Sequence, residues 1–158
     1  MTARSAAGGT ALTLAAGRWL LRLTPVGPTP SAPDRGGPDG LRVAVLVHAA
    51  PFHGAFVTEA APAELRALRG RLAELHAATG RAAAAPVRQT FALHAGTLRL
   101  DLALAPGDAL TVAVELRADP AGATVLRTAT EADPGALPRW VAGLDALLDA
   151  DALAPRTD

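Results

Sequence analysis

The chain has 158 residues, half of them hydrophobic, and its fifteen basic residues, all arginine, balance fifteen carboxylates. It contains no cysteine, which excludes disulfides, thiol nucleophiles and cysteine-ligated metals. The length fits a single domain over residues 1–158, and no apolar run reaches the roughly 18 residues that a membrane helix needs. We therefore expect a cytoplasmic protein that binds no membrane. Because the chain also lacks a basic run and an aromatic platform, we expect no binding to nucleic acid.

Residues 1–40 predict a β-hairpin followed by a loop. Apolar residues alternate with polar or small ones over about 10–16 and 18–24, on either side of Gly17. Residues 25–40 are almost entirely Pro, Gly and small polar residues, which cannot bury enough apolar surface to offset the entropy of ordering. We expect 25–40 to be a mobile loop, and the core sheet and helices to lie within 41–150.

The rest of the chain predicts six further strands and two helices. Alternating apolar residues indicate strands at about 41–48, 52–58, 87–93, 97–104, 109–117 and 123–130, the last a Thr-rich strand suited to a sheet edge. Leucines spaced by three and four residues predict an amphipathic helix from Pro62 to Gly80. A second helix begins close to Pro138. These leucines, with Phe52 and Phe56, are assigned to the core.

Strands with one polar face and only two amphipathic helices are typical of the α+β class. We expect an antiparallel sheet of about seven or eight strands, covered on one face by the two helices in a two-layer arrangement.

The sequence offers little catalytic chemistry. Its two serines, Ser5 and Ser31, do not lie in a strand–turn–helix nucleophile motif, and no glycine-rich phosphate loop is present. His48 and His53 flank a turn upstream of Glu59, a set that could form a mixed His/carboxylate metal site, but the spacing matches no zinc motif. We therefore expect no enzyme activity, no catalytic residue, no metal and no cofactor.

Charged residues on the solvent side of the predicted strands are the candidate contacts for a partner. Asp101 and Glu115 would share one sheet face if their strands pair through the 105–108 turn, with Arg99 and Arg117 beside them. Cross-strand ion pairs explain this set better than acid–base catalysis. The predicted binding surface is this polar side of the sheet or the 48–53 turn. The candidate residues are Arg42, Arg99, Asp101, Glu115, Arg117, His48 and His53.

Several segments carry a family resemblance. They are F-H-G-A-F (52–56), E-L-R-A-L and L-A-E-L-H (within 64–76, with Gly80 after them), L-R-L-D-L (98–102), V-A-V-E-L (112–116), and D-P-G-A-L-P-R-W-V and L-D-A-L-L (within 133–148). Through them the chain resembles the WapI-type immunity proteins of bacterial toxin systems and related actinobacterial families of unknown function. The resemblance implies a small non-enzymatic protein that neutralises a partner toxin by direct binding. It supplies no catalytic residues to carry over.

Two other hypotheses remain open. One is a ligand-binding domain or small enzyme with a pocket between sheet and helices, which requires polar groups to converge on a concave site. Convergence of His48, His53 and Glu59 would favour it. The other is a structural or oligomeric module, in which strand 123–130 pairs with a second copy to form a homodimer.

Overall fold

The computed structural model describes residues 11–28, 40–81, 85–117, 119 and 124–152. The strands are β1 (Leu12–Ala16), β2 (Trp19–Pro28), β3 (Leu41–Ala49), β4 (Phe52–Ala60), β5 (Val87–Leu93), β6 (Leu98–Leu104), β7 (Leu110–Leu116) and β8 (Leu126–Ala132). The helices are α1 (Pro62–Ala78) and α2 (Leu137–Ala152), and short 3-10 turns cover His94–Gly96 and Pro134–Ala136. Neither described helix combines the length and the apolar content that crossing a membrane requires.

The fold belongs to the α+β class, with eight antiparallel strands and two helices, as predicted. The strands are divided between two sheets of four, in the orders β1-β2-β3-β4 and β5-β6-β7-β8. Consecutive strands pair throughout each sheet. The predicted edge strand corresponds to β8, which lies at the edge of the second sheet.

The element order repeats itself: a four-stranded antiparallel meander is followed by a helix, twice. The two helices pack against each other, α1 contacts β5, and α2 contacts β1. Each helix therefore packs against the first strand of the other half. This exchange joins the two halves into one packed unit.

A single hydrophobic cluster runs from Leu12 to Leu147 and includes residues of both sheets and both helices. It includes the four leucines of α1 whose spacing predicted the helix, and it includes Trp140, Leu144 and Leu147 of α2. Beside this core, Arg69 of α1 forms a salt bridge with Asp145 of α2. The sequence placed the start of the core at residue 41. The core in fact begins at Leu12, because the first hairpin also buries its leucines.

The expected loop at 25–40 begins later than predicted. Strand β2 continues to Pro28 and pairs with β3, with a bulge between Pro25 and Gly27. Strand β1 pairs with β2 only as far as Leu23, so no described strand flanks the last part of β2 on that side. An edge of this kind is where a sheet tolerates proline, which lacks an N–H to donate. Residues 29–39 lie outside the described residues.

Hydrogen bonds fix both ends of α1 to the second sheet. The Glu64 carboxylate accepts from the backbone N–H of Ala61 at 2.8 Å and from that of His94 at 3.0 Å. The first of these bonds satisfies a helix N-terminus in the manner of a capping box. At the other end, the Asp108 carboxylate accepts from the backbone N–H of Gly80 at 3.1 Å. The helix is therefore tied to the β5–β6 and β6–β7 connections.

Two glycines within the helices differ in how closely other elements approach them. A Cβ at Gly70 of α1 would meet open space, whereas a Cβ at Gly143 of α2 would lie 3.2 Å from Cδ1 of Leu12. We expect Gly70→Ala to raise the free energy of unfolding by about 0.5–1 kcal/mol, because alanine loses less backbone entropy in a helix. Gly143→Ala should give a smaller gain or a loss, because Leu12 is fully buried and would have to move. Urea denaturation measures both variants, and equal gains would contradict the close packing of α2 on β1.

Candidate binding surfaces

The two sheets bury one face each and expose the other, and their outer faces differ in chemistry. In the β5–β8 sheet, Asp101 lies at the centre of a polar group. Its carboxylate accepts from Arg99 Nε at 3.1 Å and from Thr90 Oγ1 at 2.7 Å, the second bond crossing between β6 and β5. Partial burial acts to raise the pKa of Asp101, but the hydrogen bonds from Thr90 and Arg99 outweigh it and hold the pKa below its ordinary value.

Glu115 of β7 forms a second polar group on the same outer face. Its two carboxylate oxygens accept from Arg117 Nη2 at 2.8 Å and from Arg127 Nε of β8 at 2.7 Å. The hydrogen bond from Arg127, followed by that from Arg117, lowers the pKa of Glu115. Because the pKa values of Asp101 and Glu115 are both lowered, neither carboxyl is poised to donate a proton near neutral pH. The four predicted residues therefore form ion pairs, but along the chain rather than across strands, Arg99 with Asp101 and Arg117 with Glu115, and the cross-strand ion pair is made by Arg127.

These ion pairs predict a loss of stability in acid. The pKa of Glu115 is lower in the folded than in the unfolded chain, so its contribution is present above the ordinary value of 4.5 and is lost as pH falls through the folded pKa. We expect the free energy of unfolding to decline below pH 4.5 and Glu115→Gln to flatten that decline. Denaturation in urea across this range measures the effect. Glu131→Gln, on exposed β8, is the control, and equal flattening by both variants would be evidence against the Glu115 ion pairs.

The outer face of the β1–β4 sheet carries an apolar stretch along β3 and β4, with Arg22 of β2 opposite Leu46. Leu46 of β3 lies opposite Ala55 of β4, and Ala44 lies opposite Val57. Leu46 is 38% exposed and Val57 is 49% exposed. We call this group the apolar patch; it consists of Leu20, Ala44, Leu46, Ala55 and Val57. Large apolar side chains clustered on a solvent-facing sheet surface are typical of a binding site rather than of a face that stays in water.

The charges around the apolar patch are mostly basic. Arg22 donates to Thr13 Oγ1 at 3.3 Å, and Arg42 lies opposite Glu59 in the strand register. Within the described part of the chain neither arginine forms a salt bridge, and Glu59 is the one carboxylate on this face. His48 and His53 lie directly opposite each other at the hairpin end of the patch. The rim therefore favours a partner that presents negative charge.

The seven candidate contacts do not form one surface. Arg42, His48 and His53 lie on the outer face of the β1–β4 sheet, and Arg99, Asp101, Glu115 and Arg117 lie on the other sheet. The structure brings His48 and His53 together but places Glu59 at the opposite end of β4. Over the described ranges, no three metal-ligating side chains cluster. The sequence identified the charged residues but missed the apolar patch, because alternation alone cannot show that the solvent side of a strand will also be apolar.

The sequence also missed a cleft at one end of the molecule. It has a volume of about 480 Å³ and lies between the β1–β2 and β3–β4 turns and the inner side of β8. Arg18, Trp19, Phe52, Thr128 and Thr130 are among the residues that line it. Phe52 was assigned to the core, but it is 62% exposed because it lies at the open end of its strand. The sequence feature that could have indicated this exposure is the position of Phe52 as the first residue after the predicted turn.

The outer faces of the two sheets offer different gains on binding. A partner that covered the polar face of the β5–β8 sheet would have to desolvate charges that are already paired, at a cost that new contacts must offset. A partner that covered the apolar patch would gain from removing apolar area from water. No protein-family model matches the chain, and no curated protein matches it.

Proposed function

We propose that this chain is a non-enzymatic, cytoplasmic protein-binding module that neutralises a partner toxin by direct binding, in the manner of the immunity proteins that it resembles. The observation that carries the proposal is the apolar patch, where Leu46 and Val57 are exposed on adjacent strands with no charged residue between them in the strand register. Burial of exposed apolar side chains is the main favourable term in protein association. The patch therefore forms the centre of the interface.

The rim of the patch supports an acidic partner surface. Arg22 and Arg42 border it and have no carboxylate partner among the described residues, so their charges are available across an interface. Such complementarity speeds association and selects the partner more than it adds affinity. The polar face of the β5–β8 sheet is assigned no role in binding, because its main charged groups pair with one another.

A matched pair of double variants tests the surface. Leu46→Glu/Val57→Glu places two carboxylates in the patch. Ala92→Glu/Ala103→Glu places two on adjacent strands of the other sheet, where each lies opposite an arginine in the strand register. The binding partner in the test is the toxin domain that the proposal expects in a neighbouring gene, and calorimetry measures its affinity for each purified variant.

We expect the patch variant to bind at least about a hundredfold more weakly than the wild type, because central interface positions often contribute 2 kcal/mol or more each. The control variant should bind within about twofold of the wild type. Circular dichroism and thermal unfolding verify that both variants fold. Unchanged affinity of the patch variant, or an equal loss in the control, would overturn the proposal.

Self-association is the competing use of the same surface. Light scattering distinguishes the two: a wild-type dimer that the patch variant converts to a monomer would identify a second copy as the occupant and would contradict binding of a toxin. A monomeric wild type that binds the toxin domain supports the proposal.

A further inference from the structure

Strand β8 is an edge of the second sheet that can accept another strand. It pairs with β7 through a continuous register, and it comes near β1 without hydrogen bonding to it. Natural sheets often protect an edge with a proline, a bulge or a charge that points inward. Residues 126–132 contain no proline, the register has no bulge, and both charged residues of the strand are on the exposed face.

The cleft at the end of the molecule borders this edge. Its lining includes five consecutive residues of β8, from Leu126 to Thr130. Because successive side chains of a strand point to opposite faces, a cleft lined by all five follows the edge of the strand rather than one face. The largely exposed Phe52 is part of the other wall. The space of about 480 Å³ therefore leaves room for an extended chain beside β8.

The sequence of β8, LRTATEA, is complementary to itself when two copies run antiparallel. With Ala129 opposite the partner's Ala129, Arg127 lies opposite the partner's Glu131, and Thr128 lies opposite the partner's Thr130. Two-fold symmetry makes each of these pairs occur twice. Opposite charges and threonine pairs that face each other across strands are stabilising. A shift of the register by two residues removes both Arg127–Glu131 pairs.

Both charged side chains are available for this pairing. Arg127 is 71% exposed and uses its Nε to donate to Glu115, which leaves its terminal N–H groups for a second carboxylate. Glu131 is exposed and forms no salt bridge within the described ranges. The edge therefore carries one donor group and one acceptor group at positions that the antiparallel register brings together.

We propose that two copies of this chain form a two-fold symmetric dimer through antiparallel pairing of β8 with β8. The two β5–β8 sheets then make one continuous sheet of eight strands. The partner's strand lies along the cleft, where Phe52 packs beside it. Pairing of one seven-residue strand gives a small interface, so we expect a dissociation constant of about 1–100 μM.

This interface is separate from the apolar patch. The patch lies on the outer face of the β1–β4 sheet, whereas β8 is an edge of the other sheet. The dimer therefore leaves both apolar patches open, and the two proposals can fail independently.

A pair of charge-reversal variants tests the register. Glu131→Arg places like charges opposite each other twice in its own dimer, and Arg127→Glu does the same with the opposite sign. In a mixture of the two, one copy supplies two arginines and the other two carboxylates, so both opposite-charge pairs are restored. Sedimentation velocity measures the dissociation constants. Arg88→Glu, an exposed position on β5 at the opposite edge of the same sheet, is the control.

We expect each variant alone to dimerise at least about tenfold more weakly than the wild type, and the mixture to form heterodimers within about threefold of the wild-type affinity. Arg88→Glu and Leu46→Glu/Val57→Glu should dimerise like the wild type. A wild type that stays monomeric up to about 1 mM, unchanged dimers in both variants, or no recovery on mixing would overturn the proposal. Loss of the dimer in Leu46→Glu/Val57→Glu alone would place the second copy on the apolar patch and would contradict both proposals.

A second pair of variants covers a failure to fold. Arg127→Glu also loses the bond to Glu115, so circular dichroism is used to verify its structure. If it does not fold, Ala129→Glu and Ala129→Arg take its place, because Ala129 is exposed and lies opposite itself in the proposed dimer. Each of these variants alone should dimerise weakly, and their mixture should form heterodimers. Equal dimerisation of each alone and of the mixture would overturn the proposal.

Discussion

Trp140→Ala is expected to lower the free energy of unfolding by about 3–5 kcal/mol, the largest effect of any single substitution proposed for this chain. Trp140 is the largest fully buried side chain, 1% exposed, and it anchors α2 in the core shared by both sheets. Its removal would leave a cavity that the surrounding leucines cannot fill without moving.

Trp140→Phe is the matched control. It keeps an aromatic ring in the core, and the indole Nε1 that it removes has no hydrogen-bond partner among the described residues. We expect a loss below about 1.5 kcal/mol, as for other substitutions that largely conserve volume. Urea denaturation measures both variants. A similar large loss for both would contradict this account, because it would mean that an aromatic ring alone does not fill the site.

The second large effect concerns the junction between β4 and the second sheet. The buried hydroxyls of Thr58 and Thr97 lie 2.9 Å apart and are hydrogen-bonded, and Thr97 also donates to the Leu93 carbonyl at 3.3 Å. Thr97→Val should lower the free energy of unfolding by about 1–3 kcal/mol, because it leaves the Thr58 hydroxyl buried without its partner. Thr58→Val should cost less, because Thr97 keeps the Leu93 carbonyl.

The double variant Thr58→Val/Thr97→Val completes a thermodynamic cycle. Replacing both partners of a buried hydrogen bond with apolar groups of the same shape can be nearly neutral. We therefore expect the double variant to be more stable than Thr97→Val alone. Additive losses, measured in urea, would show that the two hydroxyls are not coupled.

Local sequence patterns predicted most of the individual elements. The leucine spacing after Pro62 located α1, which begins at that proline and ends just before Gly80. Alternation located all eight strands, although the last is 126–132 rather than 123–130. These predictions succeed because periodicity directly reports which side of an element is buried.

The arrangement of the elements was harder to predict. Alternation is a property of one strand at a time, so it could not show that the strands before and after α1 belong to different sheets. The extension of β2 through Pro25 and Pro28 was missed because composition alone suggested a loop, whereas only the strand pairing shows that this segment is an edge.

The candidate site was predicted in part. The shared face of Asp101 and Glu115 followed from the short turn between β6 and β7. Their ion pairs were expected across strands, but Arg99 and Arg117 pair with the carboxylate two residues away, and Arg127 of β8 makes the cross-strand pair. Whether His48 and His53 share a face depends on the length of the turn between them, and two turn residues place them directly opposite each other. The cleft at Trp19 could not be foreseen, because its walls come from distant parts of the chain.

Methyl NMR of the chain alone and saturated with the proposed toxin partner tests the central claim, that the apolar patch is the binding surface. With alanine, leucine and valine methyls labelled, the patch and the outer face of the other sheet are observed in one spectrum. We predict that the methyl resonances of Leu46 and Val57 shift on binding, while those of Ala103 and Ala113 on the β5–β8 sheet do not. Shifts confined to Ala103 and Ala113 would contradict the account.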